Sequence, residues 1–300
     1  MPYDLASWLL GQWSGLSVSS STLWNWVQIK GKQAQADLAA QLTAQADGQP
    51  VVPESLSAIL AALPLAIAAD GLASYALDLR GRGKSEGERF YVEKFQDYLD
   101  DVDKLVTQAR TENPGLPVYV LGHSAGGVIA SSYVFDRQDN IAGLVCESFA
   151  FDVGLPHLVQ LAIEGVIHLA PYLHVFSLNN ADFSRDPKHV EQMNNDPLIE
   201  KESQPAETAS EMLLAANRLK ANMPKFTAPV LIIHGTADKA TRPAGSQYFY
   251  DNAASTDKTL KLYEGHYHDL LGDLDKEIVM ADVLQWLDES IPAGSAIAAA

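Results

Sequence analysis

The sequence predicts an α/β fold: a mostly parallel central sheet flanked by helices and interrupted by a long helical insertion. Three observations carry this expectation. From about residue 72 onward, short apolar runs of β type alternate with stretches whose apolar residues recur at the helical period. One of these runs passes directly into a glycine-flanked serine and then into a helix, in "VLGHSAGGV". Over residues 150–225 the alternation gives way to a mostly helical and irregular stretch, and strand-like runs resume only at 228.

The elements follow in order. "LASYALDL" (72–79) reads as a strand, after which Gly81, Arg82 and Gly83 turn the chain away. Residues 93–110 form an amphipathic helix with Phe95, Leu99, Val102, Leu105 and Val106 on one face, stopped by Asn113, Pro114 and Gly115. "PVYVLGH" (117–123) is a buried strand, residues 124–136 a helix and "IAGLVCESF" (141–149) a third strand. After the insertion come "APVLIIHG" (228–235), "KTLKLYEG" (258–265) and a last helix over 275–290. The chain therefore divides into an atypical segment (1–65), a core (66–149 and 226–292), a helical cap (150–225) and a frayed tail (293–300).

Residues 1–65 stand apart. They hold only six charged residues, yet four of the five tryptophans (Trp8, Trp13, Trp24 and Trp26), and show no clean strand period. The segment is either a divergent start of the fold or a foreign stretch in its place, which the odd composition favours, and in the second case the sheet lacks its antiparallel edge. Its apolar stretch Leu56–Ala69 contains Pro64 and spans 14 residues, short of the roughly 18 a membrane span needs, so a packed helix kinked at Pro64 is expected.

Composition narrows the function. Three hundred residues, 47% hydrophobic and 20% charged, suit one large domain or a core carrying a subdomain. A net charge of -17 repels phosphate backbones, so nucleic acid and anionic membrane surfaces are poor candidate partners and small neutral ligands are favoured. Cys146 is the only cysteine, so no intramolecular disulfide can form, and a buried thiol is expected there. The opening "MPYDLASWLLGQW" lacks the basic start and small-residue cleavage site of a secretory signal, which makes the cytoplasm the expected location.

Gly122, Ser124 and Gly126 have the spacing G-x-S-x-G between a buried strand and a helix. A serine at so tight a turn is held proud of the sheet, at a helix N-terminus whose partial positive charge favours a developing oxyanion. The bland alternative is a small-residue turn for close packing. Working residues of an α/β sheet sit on loops leaving the carboxyl ends of strands. Two further such loops offer Asp238, and His266 with His268, giving the chain order Ser, Asp, His. Asp238 could instead close an Asx-turn, and His266 is expected to be structural. His123 is expected to be structural or a pocket wall, and His157, His168, His174 and His189 surface or capping residues.

"ALDLRGRGKSEGER", "LGHSAGGV", "VLIIHGTADKATRPAGSQYFYD" and "KTLKLYEGHYHDLL" together resemble the monoacylglycerol lipase and lysophospholipase-like branch of the α/β-hydrolase superfamily, over roughly residues 66–290. The resemblance implies a helical cap inserted after the sixth strand, no metal and no organic cofactor. It places the nucleophile at Ser124, the acid at Asp238 and the base at His268, and gives the backbone N–H of Ala125 to the oxyanion hole. The branch normally takes its other oxyanion donor from an early His-Gly pair. Here the only His-Gly pair is His234-Gly235, so the second donor is unknown.

These readings lead to a serine carboxylic-ester hydrolase for monoacylglycerol-like or other small lipid or aryl esters. The expected substrate carries an apolar acyl chain, and the cap is the expected place of any transient membrane-surface contact. Two rivals are an acyltransferase with the same acyl-enzyme and a non-catalytic binding protein of the same fold. The sequence carries no signal of oligomeric state.

Overall fold

The computed structural model describes residues 25–30, 72–151, 170–199 and 202–291. Six strands form one sheet in the order β2-β1-β3-β4-β7-β8. They are β1 (Asn25–Lys30), β2 (Leu72–Ala76), β3 (Val118–His123), β4 (Gly143–Glu147), β7 (Val230–Gly235) and β8 (Lys258–Tyr263). β3, β4, β7 and β8 pair in parallel, whereas β1 runs antiparallel to both of its neighbours.

The strands exist because alternate residues find cores on opposite faces. Val118, Val120, Leu144, Cys146, Val230 and Ile232 join one buried cluster, and Tyr119, Leu121, Val145, Leu231 and Ile233 join the other. The first face is covered by α1 (Phe95–Glu112), α2 (Ala125–Asp136), α4 (Ala206–Asn222) and α5 (Pro243–Asn252). The second is covered by α6 (Lys276–Ser290), through Val279, Val283, Trp286 and Leu287. In α1 the buried set is Tyr98, Leu99, Val102, Val106 and Ala109, the helical stripe expected from the sequence. Cys146 is fully buried beside Ser131 Oγ, and burial pushes its thiol pKa up to about 12.

Several boundaries differ from the sequence reading. β2 ends at Ala76 rather than 79. The atypical first segment supplies β1 in the middle of the sheet, with Asn25 opposite Gly122 and Lys30 opposite Leu72. The insertion is not wholly helical: β5 (His174–Phe176) pairs antiparallel with β6 (Gln204–Pro205), and between them lies α3 (Pro187–Asn195). Strands of three and two residues are too short to show a period. α4 buries Ala215, Ala216 and Leu219 in the same cluster as α2. The expected helix at 56–69, most of the segment 152–173 with His157 and His168, and the tail 293–300 lie outside the described residues.

Candidate active site

Ser124 sits between β3 and α2 with φ 56° and ψ -123°, a conformation that residues with a side chain adopt only under constraint. The constraint is visible in the hydrogen bonds. Ser124 N donates to Glu147 O at 2.9 Å, and Ser124 O accepts from Gly127 N and Ala150 N, each at 3.0 Å. Gly122 is required by the close approach of strand and helix, because a Cβ there would lie 2.7 Å from the Ala130 Cβ and collide with Gly126 O. Ala125 opens α2, and its N–H belongs to the first helical turn, where no intrahelical acceptor exists.

Asp238 follows β7 and His268 follows β8, so both loops leave the same edge of the sheet as Ser124. His268 Nε2 lies 2.8 Å from Ser124 Oγ, and His268 Nδ1 lies 2.8 Å from Asp238 Oδ2. The structure thus brings the three sequence-derived residues together in one chain of hydrogen bonds. A carboxylate only accepts, so the imidazole proton sits on Nδ1 and Nε2 is free to accept the serine hydroxyl.

Asp238 is held by more than His268. Its Oδ1 accepts from Ala240 N at 2.7 Å and Thr241 N at 2.9 Å, and its Oδ2 lies 3.0 Å from His234 Nε2. His234 Nδ1 in turn meets Ser246 Oγ at 2.7 Å. Burial opposes the charge on Asp238, but His268, His234 and the backbone of Thr241 outweigh it and keep the carboxyl far below its usual range. It is a fixed negative charge at neutral pH.

The surrounding rings limit how the base can move. Phe183 stands edge-on to His268 at 4.9 Å between centroids, and His123 lies 4.7 Å away on its own side. Burial, followed by the neighbouring His268, pushes the His123 pKa down to about 4, so His123 is neutral at pH 7. His266, the other histidine of "YEGHYHDLL", faces Asp273 rather than Ser124, with Nδ1 3.6 Å from Oδ2.

Sequence reasoning missed four residues here. His189, expected at the surface, is fully buried with Nε2 2.8 Å from Asp269 Oδ2. Glu147, inside an apolar strand, is buried with its Oε1 accepting from Leu271 N at 3.1 Å. His234 and Asp269 complete the set. A histidine on a loop or helix carries no mark of its buried partner in sequence, and only the proximity of Asp269 to His268 could have drawn attention. His123, Glu147 and Asp269 also place ligand-type atoms within 4.8 Å of one another, the one such cluster among the described residues. Asp269 Oδ2 and Glu147 Oε1 already accept hydrogen bonds from His189 and Leu271.

Comparison with known proteins settles the family. The family model described as serine aminopeptidase S33 (Hydrolase_4) matches residues 56–275. The chain belongs to this α/β-hydrolase family. Within it, the chain falls in the monoacylglycerol lipase-like branch: it is 32% identical over 221 residues to the monoacylglycerol lipase of Mycolicibacterium smegmatis, covering 73% of this chain and 79% of that one. To the monoglyceride lipase of Homo sapiens it is 33% identical over 228 residues, covering 74% and 75%. The crystal structure of the Paleococcus ferrophilus monoacylglycerol lipase superposes on this α/β-hydrolase with a TM-score of 0.69 at 25% identity, covering 76% of this chain and 88% of that one.

Proposed function

We propose that this α/β-hydrolase is a serine carboxylic-ester hydrolase that cleaves monoacylglycerol-like or other small lipid or aryl esters through an acyl-enzyme on Ser124. The observation that carries the reading is the placement of His268, with its two ring nitrogens each 2.8 Å from its partner, Ser124 Oγ on one side and Asp238 Oδ2 on the other. In the first half-reaction Ser124 Oγ attacks the ester carbonyl carbon while His268 Nε2 takes the hydroxyl proton. The tetrahedral intermediate collapses, the C–O bond to the alcohol breaks, and the same proton passes from His268 to the leaving oxygen. In the second, water gives a proton to His268 and its oxygen attacks the acyl carbon. Ser124 then leaves with that proton, and the carboxylic acid is released.

Asp238 fixes the imidazole tautomer and offsets the charge it gains. Ala125 N–H is the oxyanion donor that the helix N-terminus provides. The second donor is not assigned: β1 runs antiparallel, so the elbow end of the sheet meets Asn25, and the residues leading into Asn25 lie outside the described ones. The lipid part of the reading is supported by the relatives' names and by apolar side chains exposed on the insertion. Tyr172 is 58% and Leu173 53% exposed, a surface suited to transient contact with a lipid aggregate. Among the described residues, no helix is long and apolar enough to cross a membrane.

The test is turnover of p-nitrophenyl esters across acyl-chain lengths, wild type beside Ser124→Ala. The expected result is turnover in the wild type and a loss of about 10⁴-fold or more in the variant. Equal rates in the two proteins would remove Ser124 from the chemistry. Acyl transfer to an added alcohol exceeding hydrolysis would instead assign an acyltransferase.

A further inference from the structure

Beyond the three residues of the proposed reaction, buried ionisable groups gather around the loop that carries His268. Asp269, the next residue, accepts from His189 Nε2 at Oδ2 (2.8 Å) and from Gly272 N at Oδ1 (3.0 Å), and its own N–H donates to Phe183 O at 2.8 Å. His189 and Phe183 both come from the insertion. Glu147, at the end of β4, approaches from the sheet. Its side chain accepts from Leu271 N, and its backbone carbonyl accepts from Ser124 N. One residue therefore touches both the nucleophile's turn and the base's loop.

We propose that Asp269 and Glu147 are positioning residues: gripping this loop from the insertion and from the sheet, they hold His268 within hydrogen-bond distance of both Ser124 and Asp238. The proposal rests on the hydrolase reading above. Gly272 fits the same arrangement, because a Cβ on it would collide with the His189 ring and with Asp269 Oδ2. Without Asp269 the loop loses its tie to α3, and without Glu147 it keeps only the contact of His123 Nε2 with His268 O, 3.3 Å, beside the elbow.

The two carboxyls divide the labour. Both are buried, and their ligand-type atoms lie within 4.8 Å, so they cannot both ionise cheaply. Burial first, and Asp269 second, raise the Glu147 pKa well above the usual carboxylate range, with Asp238 adding to the effect. Burial works against the charge on Asp269 as well, but His189, then His123 and His268, hold it below its usual range. The proton stays on Glu147 and the charge on Asp269. The groups facing the pair are thus His123 from β3, His189 from α3, Asp238 after β7, Tyr263 from β8 and His268 beside it.

The experiment measures kcat and KM for p-nitrophenyl butyrate from pH 6 to 10 on the full chain, with a thermal midpoint for every variant. Glu147→Gln cannot ionise but keeps the acceptor for Leu271 N, and it is expected to retain kcat within about threefold, where Glu147→Ala loses about tenfold or more. Asp269→Asn is expected to lower kcat about 10- to 100-fold with KM changed less than about twofold, since a base displaced by an ångström costs that much. Its acid limb is expected to move to lower pH, because a negative charge that favours the imidazolium is gone. His189→Phe keeps a ring and removes the donor. It is expected to lower kcat in the same way, and it serves if Asp269→Asn does not fold.

Unchanged kcat in the folded Asp269 or His189 variants, or an unmoved acid limb in Asp269→Asn, would overturn the proposal, as would equal losses in Glu147→Gln and Glu147→Ala. These outcomes presuppose an active wild type. A wild type without turnover that also takes no fluorophosphonate at Ser124 would sink the hydrolase reading itself, and with it any positioning role.

Discussion

Asp238 illustrates how much of this site depends on single hydrogen bonds. Its two oxygens face only donors: the backbone N–H groups of Ala240 and Thr241 on one, and the imidazoles of His234 and His268 on the other. An asparagine would have to turn an N–H toward one of these donors, and if it faced His268 it would stabilise the tautomer with the proton on Nε2, where it cannot accept from Ser124. Asp238→Asn is therefore expected to fold and to lose about 10⁴-fold in kcat, measured by ester turnover beside an unchanged circular dichroism spectrum. A loss below about tenfold would show that the carboxylate has no part in orienting the base. The residue scale is also where the sequence was most and least informative. Ser124 and Asp238 stood out because each follows a strand, one with the G-x-S-x-G spacing, whereas the resemblance to the family chose His268 over His266 on the third loop. His189, Glu147 and His234 did not stand out, because their importance lies in what they touch once buried.

At the scale of elements, the site is made by the junction of β3 and α2. Gly122 lets the strand and helix approach, and the hydrogen bonds of Ser124 to Glu147, Gly127 and Ala150 keep the turn in its strained form. Gly122→Ala inserts a methyl group against Ala130 and Gly126. Overpacking of this kind costs about 1–3 kcal/mol, and the displaced helix carries Ala125 with it. We expect a lower urea midpoint together with a fall in kcat; a variant with wild-type stability and turnover would contradict the account of this junction. Strands of the buried sheet were legible as continuous apolar runs such as "VLIIHG". β1 was not: "NWVQIK" is six residues long, is followed by a single Gly31, and sits in a segment of unusual composition. Its place in the sheet comes from long-range pairing with β2 and β3, which no local pattern encodes.

Across the whole molecule, the buried carboxyls set opposite pH dependences. Glu147 keeps its proton in the folded state at pH values where the unfolded chain, with an ordinary value of 4.5, has released it. Its contribution to stability is present below 4.5 and is lost as pH rises toward the folded value. Asp238 and Asp269 have lowered values, so their contribution is present above 3.8 and is lost as pH falls through and below it. Urea unfolding across pH is expected to show Glu147→Gln flattening the decline on the alkaline side while leaving the acid side as in the wild type. The net charge of -17 adds self-repulsion to both proteins alike, so the difference between them isolates Glu147. An unchanged alkaline slope would mean that Glu147 is already ionised in the fold.

All of this depends on Ser124 being the nucleophile that His268 activates. The most direct measurement is peptide mapping by mass spectrometry after treatment with a fluorophosphonate, wild type beside His268→Ala. The account predicts a single phosphonyl adduct, on the peptide containing Ser124, formed rapidly in the wild type and at least about 10³-fold more slowly in the variant. An adduct at another residue, or equal labelling rates in the two proteins, would contradict it.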